Sequence, residues 1–116
     1  MPIRQRSSKT SSPNAAPGVP DFKVTVAARC DLADIDDYSV ERFGEEAAEA
    51  YARGFTEAFL FLAQYPLSGR PRPELSADTR CKTYRSHLIF YRYTDDTVFI
   101  QRVLHHSQDA ATHLRP

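Results

Sequence analysis

The 116-residue sequence lacks the features that mark membrane and secreted proteins. No apolar run approaches the roughly 18 residues that a membrane-spanning helix requires, so no membrane partner is expected. The first residues are polar and include no apolar segment of the kind found in secretory signal peptides. By default, a cytoplasmic protein is expected.

Cysteine and glycine are also scarce. The two cysteines, Cys30 and Cys81, lie far apart and are expected to be free thiols. Neither belongs to a CxxC or CxxH motif, so they give no zinc-binding pattern. The four glycines are isolated, which excludes a glycine-rich nucleotide-binding loop. No nucleophile elbow accompanies a Ser/His/Asp set, and no cofactor is expected.

Charge is balanced overall but not along the chain. Residues 1–27 carry four basic and one acidic side chain, for a net charge of +3. Residues 28–65 carry three basic and nine acidic side chains (−6), and residues 66–116 carry eight basic and five acidic side chains (+3). This distribution predicts an acidic and a basic surface, which would steer different partners to different sides. Two solvated surfaces without partners are the alternative.

The first 21 residues differ in composition from the rest. Residues 1–21 are rich in Ser, Pro and Ala and have few large apolar side chains, which predicts a disordered leader. The remainder, residues 22–114, has the length of a single domain.

Two segments with helical periodicity predict a helical hairpin after a first strand at residues 22–26. Apolar residues three apart predict an amphipathic helix from about Arg29 to Arg42, ended by Gly44. A second, longer helix is predicted to end at Tyr65, because the following proline disfavours helical geometry. Its apolar stripe consists of Ala48, Tyr51, Phe55, Phe59 and Leu62.

Three strand-like runs follow a loop rich in Pro, Gly and Ser. Residues 79–85, 88–93 and 97–105 are separated by short turns and predict an antiparallel meander. Residues 107–114 are predicted to form a short terminal helix. The fold class is therefore α+β, in the order β-α-α-β-β-β, with the hairpin packed on one face of a small, mainly antiparallel sheet. The predicted core contacts join Tyr51, Phe55 and Phe59 to Phe90, Val98 and Ile100.

This order and three local runs resemble the RelE/ParE toxin superfamily of type II toxin–antitoxin systems, in particular its ParE branch. AARCDLADIDDY is similar to the first helix of that branch, YPLSGRPRPEL to the loop after the hairpin, and HLIFYRYTDDTVFIQRVLHHSQD to the closing hairpin. The resemblance spans Phe22 to Leu114. It implies a cytoplasmic, plasmid-stabilisation-type toxin that a cognate antitoxin neutralises by wrapping a flexible tail around it. It also implies binding and inhibition of DNA gyrase, or, for RelE-like members, cleavage of messenger RNA on the ribosome.

An RNA-cutting site needs acid–base groups together with cations that stabilise the charge on phosphorus. In RelE-like nucleases, such groups lie on the meander and at the end of its last strand. The catalytic candidates for a nuclease are therefore Arg80, Lys82, Arg85 and His106. Strand alternation places Arg80, Lys82 and Tyr84 on one face.

A toxin that acts by binding would instead use Tyr91, Arg92, Arg102 and His105 as target-binding residues. Each also has a structural interpretation. The two arginines could pair with acids such as Glu74 or Asp109, Tyr91 could be a half-buried sheet residue with a solvated hydroxyl, and His105 could belong to the strand core.

The groove beside the hairpin and the meander is the expected antitoxin site, because the family uses that position. The predicted contacts are Tyr38, Phe43, Tyr65, Arg70 and Arg72. A metal site built from His105, Asp109 and His113 is an alternative, since these residues are four apart. A strand-to-helix junction is expected to break that spacing, so no metal is predicted.

Three hypotheses follow. The favoured one is a ParE-like toxin that binds gyrase, because the closing strand matches that branch. The second is a RelE-like nuclease whose partners are the ribosome and messenger RNA. The third is a domain without toxicity that only binds its antitoxin.

Overall fold

The computed structural model describes residues 21–114, and the predicted leader, apart from Asp21, lies outside them. The helical hairpin and the meander are confirmed. The elements are β1 (Phe22–Val24), α1 (Val26–Phe43), α2 (Glu45–Gln64), β2 (Arg70–Pro71), β3 (Thr79–Tyr84), β4 (His87–Thr94), β5 (Thr97–His105) and α3 (Ala110–Leu114).

The five strands form one sheet in the order β1-β5-β4-β3-β2. Strand β1 runs parallel to β5 and the other pairs are antiparallel, which confirms the α+β class. Strand β2 was not predicted. It pairs Arg70 with Cys81 and Pro71 with Arg80, and a two-residue run is too short to give an alternating pattern. Its proline is tolerated because β2 lies at the edge of the sheet.

The first strand is shorter than predicted because Thr25 begins the helix. Its hydroxyl accepts a hydrogen bond from the Ala28 N–H (3.1 Å) and donates one to the Gln101 carbonyl (3.0 Å). Thr25 therefore caps α1 and also fixes α1 to β5. At the other end, Gly44 has a φ of 91°, a conformation that favours glycine, and it ends α1 as predicted.

The core between the hairpin and the sheet contains the predicted aromatic stripe. Phe55 and Phe59 are buried against Val98 and Ile100, with Tyr51 at the margin. The predicted contact to Phe90 is wrong. Alternation along β4 turns Ile89 and Tyr91 toward the helices and Phe90 toward the opposite face, where it packs with Cys81 and Leu104.

A β-bulge in β5 changes which side chains face the hairpin. Tyr91 pairs with Ile100 and Phe90 pairs with Arg102, which leaves Gln101 as the extra residue. Both Ile100 and Val103 therefore join the main core although they are three apart. The bulge also places Arg102 on the face of Phe90, near α3.

Candidate partner-binding groove

An open groove lies where the apex of the hairpin meets the β3–β4 turn, with a volume of about 690 Å³. The helices contribute mainly apolar side chains, including Ile35, Tyr38 and Phe43. The sheet contributes Arg85, Ser86, His87 and His105. Tyr38 is 55% exposed and Phe43 is 65% exposed. The groove thus has an apolar helical wall and a basic sheet wall.

The sheet wall is held together by short-range contacts. Arg85 and Ser86 form the two-residue turn between β3 and β4, and Arg85 adopts a positive φ of 53°. The His106 N–H donates to the Ser86 carbonyl at 2.9 Å, which attaches the end of β5 to this turn. Residues from two distant parts of the sequence thereby become neighbours.

Three imidazoles, called here the histidine cluster (His87, His105 and His106), lie together at this end of the sheet, and the first two line the groove. The ring centroids of His87 and His105 are 5.5 Å apart, and those of His105 and His106 are 4.3 Å apart. The Tyr51 hydroxyl shares a 2.8 Å hydrogen bond with His87 Nδ1. Burial lowers the pKa of His87, and the charges of the other two histidines lower it further. Burial raises the pKa of Tyr51.

The opposite end of the hairpin is closed by a set of contacts called here the loop clasp (Pro66–Gly69, Arg80 and Tyr91). The buried Tyr91 hydroxyl donates to the Pro66 carbonyl and accepts from the Gly69 N–H, both at 2.8 Å. Arg80 Nη1 donates to the Gly69 carbonyl at 2.8 Å and the Leu67 carbonyl at 3.2 Å. A methyl group on Gly69 would overlap the Tyr91 hydroxyl, so glycine permits this close approach.

Residues 22–110 match the family model described as the ParE toxin of a type II toxin–antitoxin system, parDE. The chain belongs to the ParE toxin family. It is 39% identical over 93 residues to toxin ParE1 of Caulobacter vibrioides, a match that covers 80% of this chain and 96% of the relative. It is 33% identical over 94 residues to toxin ParE1 of Mycobacterium tuberculosis, with the same two coverages.

Two solved structures also resemble this ParE-family fold. One is the chromosomal ParDE toxin–antitoxin system from P. aeruginosa, with a TM-score of 0.65, 25% identity, and coverage of 75% of this chain and 96% of that one. The other is the toxin–antitoxin complex RelBE2 from Mycobacterium tuberculosis, with a TM-score of 0.51, 27% identity, and coverage of 74% and 96%. The identification of the family from the sequence is confirmed.

In this ParE-family fold, the four nuclease candidates do not come together. Arg80 is engaged in the loop clasp, and Lys82 Nζ lies over the Phe61 ring of α2 at 4.5 Å from its centroid. Arg85 and His106 are adjacent at the other end of β3. Arg80 and Arg85 are five residues apart, or about 17 Å along an extended strand. The shared face of Arg80 and Lys82 is packed against the hairpin.

The predicted target-binding residues occupy three different environments. Tyr91 is fully buried in the loop clasp, so it does not present a contact surface, and its hydroxyl is bonded to backbone rather than solvated. Arg92 is exposed on the face opposite the hairpin, without an ion pair among residues 21–114. His105 lines the groove.

Arg102 is held inside the fold. It forms two 2.8 Å bonds to Asp31, whose carboxylate also accepts from the Val103 N–H at 2.9 Å. The hydrogen bond to Asp31 raises the pKa of Arg102. The suggested pairing with Glu74 is wrong, since Glu74 pairs with Arg72 instead. The role of Asp31 was not foreseen, because it depends on a contact across 71 residues. The bulge at Gln101 was not foreseen either, because it depends on the register between β4 and β5.

The predicted antitoxin-binding residues do not share one surface. Tyr38 and Phe43 lie in the groove. Tyr65 belongs to a second exposed apolar surface at the end of α2, whose other members are Leu60, Phe61 and Leu67. Arg70 is in edge strand β2. Arg72 pairs with Glu74 and lies over the Phe90 ring, on the far side of the sheet.

The groove residues missed from the sequence include three polar or titratable side chains: Asp34, Tyr51 and His87. Tyr51 was identified only as a core residue, because its position in the apolar stripe does not reveal that its hydroxyl reaches the turn. In residues 21–114 no group of His, Cys, Asp and Glu side chains is arranged to hold a metal. His105 Nδ1 lies 2.8 Å from Ser107 Oγ instead of pointing to Asp109 and His113. Within the same range, no helix is long and apolar enough to cross a membrane.

Proposed function

We propose that this ParE-family toxin acts in the cytoplasm by binding and inhibiting DNA gyrase, and that a cognate antitoxin neutralises it by filling the groove. The observation that carries the first part is the dispersal of the nuclease candidates. Arg80 is bound to loop carbonyls and Lys82 is packed on the Phe61 ring of α2, at a distance from Arg85 and His106. A toxin that acts by binding does not require those four side chains in one place.

The groove supports the second part of the proposal. Exposed Tyr38 and Phe43 give the apolar surface on which a partner segment gains affinity. The basic side chains opposite them favour a segment that also carries acidic residues. The two similar solved structures are described as a toxin–antitoxin system and a toxin–antitoxin complex, which is consistent with such a partner.

The target is tested with purified protein in two parallel assays. We expect inhibition of gyrase supercoiling and no cleavage of ribosome-bound messenger RNA. The matched control is the toxin saturated with the antitoxin from the neighbouring reading frame, which should restore supercoiling. Full supercoiling activity in the presence of excess toxin would contradict the gyrase target, and absence of growth arrest on expression would favour a domain that only binds antitoxin.

A second candidate function, ribosome-dependent cleavage of messenger RNA, is favoured by one observation. The Ser86–His106 backbone hydrogen bond brings Arg85 next to His106, a cation beside an acid–base group. The double variant Arg85→Ala/His106→Ala separates the two functions. If the toxin acts by cutting RNA at this pair, the variant is inactive in cleavage, whereas gyrase inhibition is expected to survive it.

The groove is tested by comparing two pairs of exposed apolar residues. We expect Tyr38→Ala/Phe43→Ala to weaken antitoxin binding by about a hundredfold, because large aromatic side chains dominate such interfaces. The control is Leu60→Ala/Leu67→Ala on the second exposed surface, which should change affinity by less than about threefold. Calorimetric titration measures both. Equal losses in the two variants would contradict the groove as the antitoxin site.

A further inference from the structure

The basic wall of the groove includes a positive charge that has no ion-pair partner among the described residues. Arg85 has no ion pair among residues 21–114, and its guanidinium lies over the Tyr84 ring, 5.8 Å from the centroid. An aromatic face attracts a cation but supplies no hydrogen-bond acceptor. The donors of Arg85 are therefore available to a carboxylate that enters the groove.

A carboxylate in the groove would also stabilise the histidine cluster beside Arg85 when an imidazole of the cluster is protonated. The rings of His87 and His105 are 5.5 Å apart, so a positive charge on His105 opposes protonation of His87. The charged and titratable groups facing the cluster are Asp34 and Tyr38 from α1, Tyr51 from α2, Tyr84 from β3 and Arg85 from the turn. Asp34 is the single carboxylate among the lining residues, and it comes from the helical wall.

We infer that Arg85 and the histidine cluster form a carboxylate-binding subsite, which takes an acidic side chain of the antitoxin segment together with a proton. This inference rests on the groove being the antitoxin site. A carboxylate held by a guanidinium and an imidazolium makes charge-assisted hydrogen bonds, about twice as strong as neutral ones. The incoming negative charge also offsets the repulsion that disfavours protonation of the crowded rings.

The subsite defines the chemistry of the segment that fills the groove. An acidic residue points to the sheet wall, and its apolar neighbours contact Tyr38 and Phe43 on the helical wall. A segment with apolar residues alone would leave Arg85 covered and unpaired, which is unfavourable. The structure thus predicts selection for an acidic and apolar segment over a purely apolar one.

Proton uptake makes the affinity depend on pH. Because the complex holds the proton more tightly than the free toxin does, the affinity rises as pH falls. For one proton, the limit is about tenfold per pH unit. Below the pH at which the free cluster is already protonated, the dependence disappears.

The test is calorimetric titration of the toxin with the antitoxin co-expressed from the neighbouring reading frame. Titrations in MOPS and in Tris, whose ionisation enthalpies differ, give the number of protons taken up. We expect an uptake between zero and one at neutral pH for the wild type. We expect His105→Gln to reduce it, and Arg85→Gln to weaken binding by about tenfold. The controls are Arg53→Gln and His113→Gln, exposed residues outside the groove, which should change neither quantity.

A double-mutant cycle identifies the acidic partner residue. Each Asp or Glu of the antitoxin tail is replaced by its amide, and its effect is measured against wild-type toxin and against Arg85→Gln. One acidic residue should show coupling, since its loss should matter less once Arg85 is absent. Thermal unfolding of each variant checks that it is folded.

The outcomes separate this inference from the proposed function. Loss of affinity in Tyr38→Ala/Phe43→Ala with no effect of Arg85→Gln and no proton uptake would overturn the subsite and leave the groove proposal standing. If none of these variants changes the affinity, the groove is not the antitoxin site and both proposals fail. Arg85 coupling together with proton uptake supports the subsite.

Discussion

The two ends of the helical hairpin use similar side chains for opposite purposes. At the loop clasp, Tyr91 and Arg80 bond to backbone atoms of residues 66–69, and each polar group has a partner inside the fold. At the groove, Tyr38 is half exposed, and Arg85 has no ion pair among the described residues and lies over the Tyr84 ring. Residue type alone does not distinguish a structural tyrosine or arginine from a binding one. The difference lies in whether the chain itself satisfies the side chain.

The same substitution at the two ends should change the free energy of unfolding by very different amounts. Tyr91→Ala should lower the free energy of unfolding by about 3–5 kcal/mol, because it leaves a cavity and removes the two bonds of the hydroxyl. Tyr38→Ala, in the groove, should change it by less than about 0.5 kcal/mol. Urea unfolding measures both. A large loss in the Tyr38 variant would mean that the groove is part of the folded core.

Removing only the hydroxyl isolates its polar contribution. Tyr91→Phe leaves the Pro66 carbonyl and the Gly69 N–H without their partner in a buried site, and should cost about 1–3 kcal/mol. Tyr38→Phe is the matched control and should be nearly neutral. If Tyr91→Phe were equally neutral, water would have to replace the hydroxyl, and the loop clasp would rest on ring packing alone.

Predictability from sequence also differs between the two ends. The hairpin and the meander follow from local periodicity. Gly44 and the proline after Tyr65 correctly mark the C-terminal ends of the two helices. The loop clasp depends on Gly69 meeting Tyr91 across 22 residues, a tertiary contact that alternation along β4 does not encode. For the same reason, Tyr91 was predicted at the surface.

The groove was located in part. Tyr38 and Phe43 line the groove beside the hairpin and the meander, whereas their contact with an antitoxin stays a prediction. His87 was passed over as a turn residue. Its importance depends on the two-residue turn that brings it beside His105 and on the hydroxyl of Tyr51, and neither is visible in a single strand or helix.

Arg80 in β3 and Arg85 in the turn after it give a second matched comparison, with a smaller expected change in stability. Arg80→Gln loses the bonds to the Leu67 and Gly69 carbonyls and should destabilise the fold by about 1 kcal/mol. Arg85→Gln should leave stability unchanged within about 0.5 kcal/mol, because no bond inside the described fold is lost. Chemical denaturation distinguishes them. Equal stability of the two variants would remove Arg80 from the loop clasp and return it to the candidates for function.

The smallest expected effect concerns pH at the groove end. Burial lowers the pKa of His87 below the ordinary 6.5, so the unfolded chain binds a proton more readily than the folded one. The stability associated with neutral His87 is therefore complete above about pH 6.5 and is lost as the pH falls from there through the lower folded-state pKa.

His87→Gln removes this titration, so its free energy of unfolding should fall less than that of the wild type between about pH 7.5 and pH 5.5. His113→Gln on α3 is the control and should follow the wild type. Urea unfolding at the two pH values measures the difference, and carboxylates that titrate in all three proteins cancel in it. Parallel behaviour of His87→Gln and the wild type would mean that the fold tolerates a charged His87. The sheet wall would then accept a proton without a partner, and proton uptake on binding would no longer be expected to involve that residue.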